Sequence, residues 1–145
     1  MTPGARLLAV VEIINDIFLQ PIDDNFSSDK IIKNWVRNSR YAGSKDRKEI
    51  INNVFGIIKR YFSLDYIQKN NITLEKYSLE LTIIYFIFYG GGKASLTSRF
   101  DDGPYAIKMN ESIKDFIEKV STYNFDDIEF VKCALPDWLY AEFYE

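Results

Sequence analysis

The chain has 145 residues, of which 47% are hydrophobic and 27% charged, and a net charge of −3. That length and composition fit one globular domain with its own core and exclude a disordered chain. With no histidine and a single cysteine, Cys133, an internal disulfide framework, a Cys/His metal site and a histidine general base are excluded, and a reducing, cytoplasmic setting fits best.

Apolar spacing predicts helices along the whole chain. Residues 3 to 19 place Leu7, Val10, Val11, Ile14, Ile17 and Phe18 on one stripe, with Pro3 tolerated in the first turn. Glu12 and Asp16 interrupt the apolar run at helical spacing, so it reads as a helix of the mature protein and not as a signal peptide. A short second helix over 28 to 38 carries Ile31, Ile32, Trp35 and Val36 and opens at Ser28 or Asp29. After the turn NSRYAG, Ser44 is the expected cap of a third helix with Ile50, Ile51, Val54, Phe55, Ile58 and Phe62 inward and Lys48, Asn52 and Lys59 outward. SLDYIQKN continues it or forms a short separate turn.

Thr73 is the expected cap of a fourth helix over about 74 to 89, apolar nearly all round and therefore the central element. Its apolar run, LTIIYFIFYG, falls well short of the ~20 residues that cross a bilayer, so no membrane partner is expected. Gly90, Gly91 and Gly92 suit its C-terminal cap. Residues 93 to 109 read mostly as loop, with a turn at Asp102-Gly103-Pro104. A fifth helix starts at Asn110 with Ile113, Phe116, Ile117 and Val120 inward, a sixth runs from about Asp126 to Ala134, and Pro136 opens a last element. The expected fold class is an all-α bundle of about six to seven helices.

Three tempting motifs carry no chemistry. GGGKAS at 90 to 95 has Ile87 where a phosphate loop needs its first glycine and Ala94 where it needs a magnesium-binding hydroxyl. The same glycines follow a helix and not the strand that a glycine-rich cofactor loop requires. Cys133 lies in an apolar helical stretch without a base to activate it. With no nucleophile and base pair and no metal set, no catalytic, cofactor or metal residue is assigned, and a free-standing enzyme is disfavoured.

Charge is distributed unevenly. Residues 30 to 60 hold nine basic and two acidic side chains, whereas 1 to 29 hold one and five, and 61 to 145 hold eight and fourteen. A local excess of this kind attracts phosphates whatever the net charge. Its densest part is RNSRYAGSKDRKEI, at the start of the third helix. The candidate RNA contacts are Arg37, Arg40, Lys45, Arg47, Lys48, Lys59 and Arg60, with Tyr41 as a stacking surface. Trp35 sits on the apolar stripe and is assigned to the core. The blander alternative is a solvated face in which Asp46 and Glu49 serve as the N-terminal acids of the helix.

Residues 34 to 67, NWVRNSRYAGSKDRKEIINNVFGIIKRYFSLDYI, strongly resemble the N-terminal region of the RNA cytosine-5 methyltransferases of the NOL1/NOP2/Sun type, particularly their alphaproteobacterial branch. The most specific part is Arg40-Tyr41-Ala42-Gly43-Ser44-Lys45-Asp46-Arg47, and TPGARLLAVVEII and LPDWLYAEF are similar too; the likeness is weak between about 70 and 125. The resemblance implies a NusB-like, RNA-binding helical domain over 1 to 135 and, over 136 to 145, the start of a linker helix toward a catalytic domain that this chain lacks. S-adenosylmethionine is then expected only in that missing domain, because the family's glycine-rich sheet loop and paired cysteine motifs are not in this sequence.

The expected function is that of a non-catalytic domain presenting RNA, by the resemblance rRNA, to a catalytic half. The chain would then be a domain on its own or the product of a shortened or split gene. The alternative is a protein-interaction module that docks a separate catalytic chain or factor, with Trp138, Phe143 and Tyr144 as its apolar contacts.

Overall fold

The structure is a computed structural model that describes residues 1–19, 28–39, 42–69 and 74–122. The described residues form an all-α bundle: α1 Pro3–Leu19, α2 Ser28–Asn38, α3 Ser44–Lys59, α4 Tyr61–Lys69, α5 Tyr77–Phe88, α6 Lys93–Thr97 and α7 Glu111–Ser121. Cys133 and the expected helix and last element beyond residue 122 lie outside the described residues, as does Thr73; α5 nevertheless begins at Tyr77 with Lys76 at the cap position, later than the start at about 74 that a Thr73 cap would give.

Helix α1 begins with Pro3, whose missing N–H would have had no partner in a first turn. It buries Leu7, Val10, Ile13, Ile14 and Ile17. Phe18, expected inward, is exposed instead. Ile17 already takes the inward register, and the Phe18 ring lies at the edge, 5.0 Å from the Tyr61 ring and 6.1 Å from Tyr77. In α2, Ile32 is buried and Trp35 packs partly buried against the core, as its place on the stripe requires.

The expected single helix from Ser44 through Phe62 is two. Arg60 takes φ −108° and ψ 18°, and its N–H is shared between the carbonyls of Gly56 and Ile57 at 3.3 and 3.2 Å. That tightens the last turn of α3 and lets α4 start afresh. Ile50, Val54 and Ile57 are buried in α3. Phe55 and Phe62, both expected inward, are 44% and 46% exposed. At 3.6 residues per turn Phe55 stands about 130° around the helix from the mean direction of Ile50, Val54 and Ile57, and shares its face with Lys48, Asn52 and Lys59.

Helix α5 is the hub, packing against α1, α3, α4, α6 and α7. Every residue from Ser78 to Phe86 is buried. Its polar groups are satisfied where they sit. Glu80 accepts hydrogen bonds from Gln68 Nε2 and the Leu74 amide, both at 2.7 Å, Thr82 Oγ1 donates to the Ser78 carbonyl at 2.7 Å, and Ser78 Oγ donates to Asn15 Oδ1 at 3.1 Å. The helix stops because the Gly90 and Gly92 amides both turn back onto the Phe86 carbonyl, at 3.2 and 2.9 Å. Gly91 takes φ +103° and Gly92 φ +92°, values that residues with a Cβ rarely adopt.

After α6 the chain returns to the start of α1. There Asp101 accepts hydrogen bonds from the Gly4 amide at 2.8 Å and the Gly103 amide at 2.9 Å, placing an anion against the first turn of α1. Helix α7 is capped by Asn110, whose side chain accepts from the Ile113 amide at 2.8 Å, and it buries Ile113, Phe116, Ile117 and Val120 as its spacing predicts.

Helices α3 and α5 approach closely at Gly56, where an added Cβ would lie 2.5 Å from the Tyr85 hydroxyl oxygen and 2.8 Å from two ring carbons. Ala is favoured over Gly in a helix by about 1 kcal/mol. Overpacking a joint against a rigid, buried ring costs about 1–3 kcal/mol. Gly56→Ala is therefore expected to lower the thermal midpoint, with partial recovery when Tyr85→Phe removes the hydroxyl; a melting series of the two single variants and the double variant checks both.

Candidate nucleic-acid interface

Helix α3 carries both signs of charge, and the fold sorts them. Its two acids face the body of the protein. The Asp46 carboxylate accepts a hydrogen bond from Arg6 Nη1 at 3.1 Å and lies 3.5 Å from the Met1 amino group. Glu49 sits between two arginines: Arg99 Nη1 donates to Oε1 at 2.9 Å, and Arg6 Nε lies 2.8 Å from Oε2 as an ion pair without hydrogen-bond geometry. The Arg99 guanidinium also covers the Phe86 ring at 4.6 Å. This cluster ties the start of α3 to α1 and to the segment after α6.

Three of the four cations of α3, Lys45, Lys48 and Lys59, point the other way. Lys45, Lys48 and Lys59 are exposed, Arg47 is half-buried, and Arg37 is exposed in the last turn of α2. None of the five makes an ion pair among the described residues. Arg60 differs. Its guanidinium lies 4.5 Å over the Tyr89 ring and donates to the Gly56 carbonyl at 3.4 Å, so it serves the packing at the C-terminal end of α3. Arg40 and Tyr41 lie outside the described residues.

The residue at the cap position of α3 is Gly43, in extended backbone at φ −67° and ψ 166°, with no side-chain cap hydrogen bond. Ser44, expected there, is instead the first helical residue. The Gly43 carbonyl begins the helical ladder by accepting from the Arg47 amide at 2.9 Å, one residue earlier than a Ser44 cap would have it.

Lys45, Lys48, Asn52, Phe55 and Lys59 follow one another at spacings of three and four and are all exposed. They form a stripe running ~21 Å along the helix, with no acid on it. The sequence reading found the lysines and Asn52 but assigned Phe55 to the core. The signal for Phe55 was its spacing of seven from Lys48 and four from Lys59.

The glycines at 90 to 92 serve a helix-to-helix turn. Gly90 to Gly92 end one helix and begin another with no strand before them, and Lys93 pairs with Glu118. Among the described residues no group of His, Cys, Asp and Glu is placed to hold a metal ion, and no helix is long and apolar enough to cross a membrane. The chain matches no protein-family model, no curated protein and no solved structure.

Among the described residues, three carboxyl groups have shifted affinities for protons. Partial desolvation pushes Asp46 up, but the hydrogen bond and charge of Arg6, with the chain's amino group, outweigh it and hold the carboxyl below the usual range. Asp101 is held low by the Gly4 and Gly103 amides, helped by Thr2 and Arg6. Glu12 is pushed up by burial and then by the nearby charge of Asp16.

Carboxyls with depressed folded-state values stabilise the fold above their unfolded value of about 3.9 and lose that contribution as pH falls through the folded value. Glu12 acts in the opposite sense, since its protonation on acidification relieves an unfavourable charge. The thermal midpoint is expected to fall below about pH 4, with a smaller acid-induced fall in Asp46→Asn and Asp101→Asn than in the parent protein. Melting curves between pH 2.5 and 7 (about 0.5 apart) read this directly. At neutral pH, Glu49→Ala leaves Arg6 and Arg99 without a shared partner and is expected to cost about 1–2 kcal/mol, whereas Lys48→Ala stays within about 0.5 kcal/mol; urea unfolding distinguishes them.

Proposed function

We propose that this chain is a non-catalytic RNA-binding domain, and that it presents rRNA to the catalytic half of an S-adenosylmethionine-dependent cytosine-5 methyltransferase. The observation that carries the RNA reading is the sorting of charge on α3: Asp46 and Glu49 are held by Arg6, Arg99 and the Met1 amino group, while Lys45, Lys48 and Lys59 face solvent. The acids are kept from neutralising the lysines, so the outer face of α3 presents positive charge over ~21 Å. The likeness of residues 34 to 67 to the N-terminal region of the NOL1/NOP2/Sun methyltransferases supports the rRNA and methyltransferase parts of the reading. Lys45, Lys48 and Lys59 would supply the phosphate contacts. The catalytic cysteines and the methyl donor would belong to the partner half.

A second reading, a module that docks another protein, is favoured by a different surface. Phe18, Leu19 and Phe62 are exposed where the end of α1 meets the start of α4. An apolar surface of this kind suits a protein partner better than a polyanion.

Salt separates the two. Each phosphate contact contributes about 0.7–0.9 to the slope of log K against log salt. Lys45→Ala with Lys48→Ala is expected to weaken binding to structured rRNA fragments and to reduce that slope by about 1.5. Wild-type affinity and slope in the double variant would remove α3 from the interface, and absence of binding at low salt would leave protein docking as the function.

A further inference from the structure

We infer that Phe55 is a base-stacking platform and that the α3 stripe takes unpaired RNA nucleotides in preference to duplex. The inference rests on the RNA reading above and goes further by naming the form of RNA. Phe55 is 44% exposed in the middle of α3, on the face opposite the one buried against α1 and α5. Lys59 stands ~6 Å from it along the helix axis in one direction, Asn52 ~4.5 Å and Lys48 ~10 Å in the other. The stripe therefore places a flat apolar surface between cationic groups, with an amide able to donate to and accept from a base edge beside it.

Each element of that arrangement has a counterpart in a single strand. A phosphate backbone can follow the lysines while one base leaves the strand and lies on the ring, since every base has a face to stack. In a duplex the base faces are covered by their neighbours, and the deep A-form major groove keeps side chains from the bases. A duplex could use the lysines and leave Phe55 in water. An apolar protein partner fits less well: Phe55 is the one large apolar side chain among the five stripe positions, and covering it would draw three ammonium groups out of water without partners.

The test compares a single-stranded RNA oligonucleotide with a duplex of the same sequence by fluorescence anisotropy, using the full chain, Phe55→Leu and Phe55→Tyr. The exposed position allows both variants to fold, and circular dichroism melts verify it. The expected result is tighter binding of the single strand, about tenfold weaker binding of it by Phe55→Leu, near-parental binding by Phe55→Tyr, and no change for the duplex in either variant. The salt slope should be the same in all three proteins because no phosphate contact is altered. Salt-dependent binding that is equal for strand and duplex and indifferent to Phe55→Leu overturns the inference and leaves the RNA reading intact. Binding of neither RNA overturns both.

Discussion

Between Ser78 and Phe86 helix α5 has no solvent face, and the other helices are placed by what it demands. Five of them pack on it, so its side chains set the separation and register of its neighbours. The constraint reaches α3 through Gly56, where the missing side chain admits the Tyr85 hydroxyl, and through Ile50, Val54 and Ile57, which are buried. Fixing which side of α3 is inward fixes which side is outward. The lysine stripe is a consequence of the α5 core as much as of the lysines themselves.

The ion pairs add rotational and axial definition to that packing. Arg6 and Arg99 approach Glu49 from two different parts of the chain, and Asp101 fastens the loop after α6 to the amide of Gly4. Such half-buried pairs contribute little as isolated attractions, yet removing one partner leaves the others desolvated and unmatched. Their structural effect is to hold the first turn of α3 against α1. Their electrostatic effect is to keep two carboxylates from folding back over Lys45 and Lys48. Packing and surface charge are thus coupled at Asp46 and Glu49.

Elements governed by local periodicity were legible in the sequence. The extents of α1 and α2, the central burial of α5, its glycine stop and the start of α7 beside Asn110 follow from apolar spacing and backbone preferences within a few residues. The errors have a common origin in short-range ambiguity at a turn. Phe55 groups with the apolar face by type, although its spacing places it with Lys48, Asn52 and Lys59; Phe62 lies beyond the break at Arg60, in α4, where the register of α3 no longer holds. Ser44 is an ordinary cap residue by type, but the cap position falls one residue earlier, at Gly43, and Ser44 is already helical. The contacts that sort the charges join residues 40 to 97 positions apart, between Arg6 and Asp46, Arg99 and Glu49, and Gly4 and Asp101. No local pattern marks such pairs before the chain is folded.

A net charge of −3 need not oppose a polyanion at this surface. At physiological ionic strength, charges more than about 8 Å apart through solvent are largely screened from one another. The stripe from Lys45 to Lys59 is ~21 Å long, more than twice that length. A phosphate near its middle would therefore respond to the lysines beside it and only faintly to charges much farther away through solvent. At low salt the screening length grows and the acidic remainder begins to count, favouring approaches that present α3 first. A polyanion meeting this surface would therefore feel attraction at short range and, at low salt, orientation at long range.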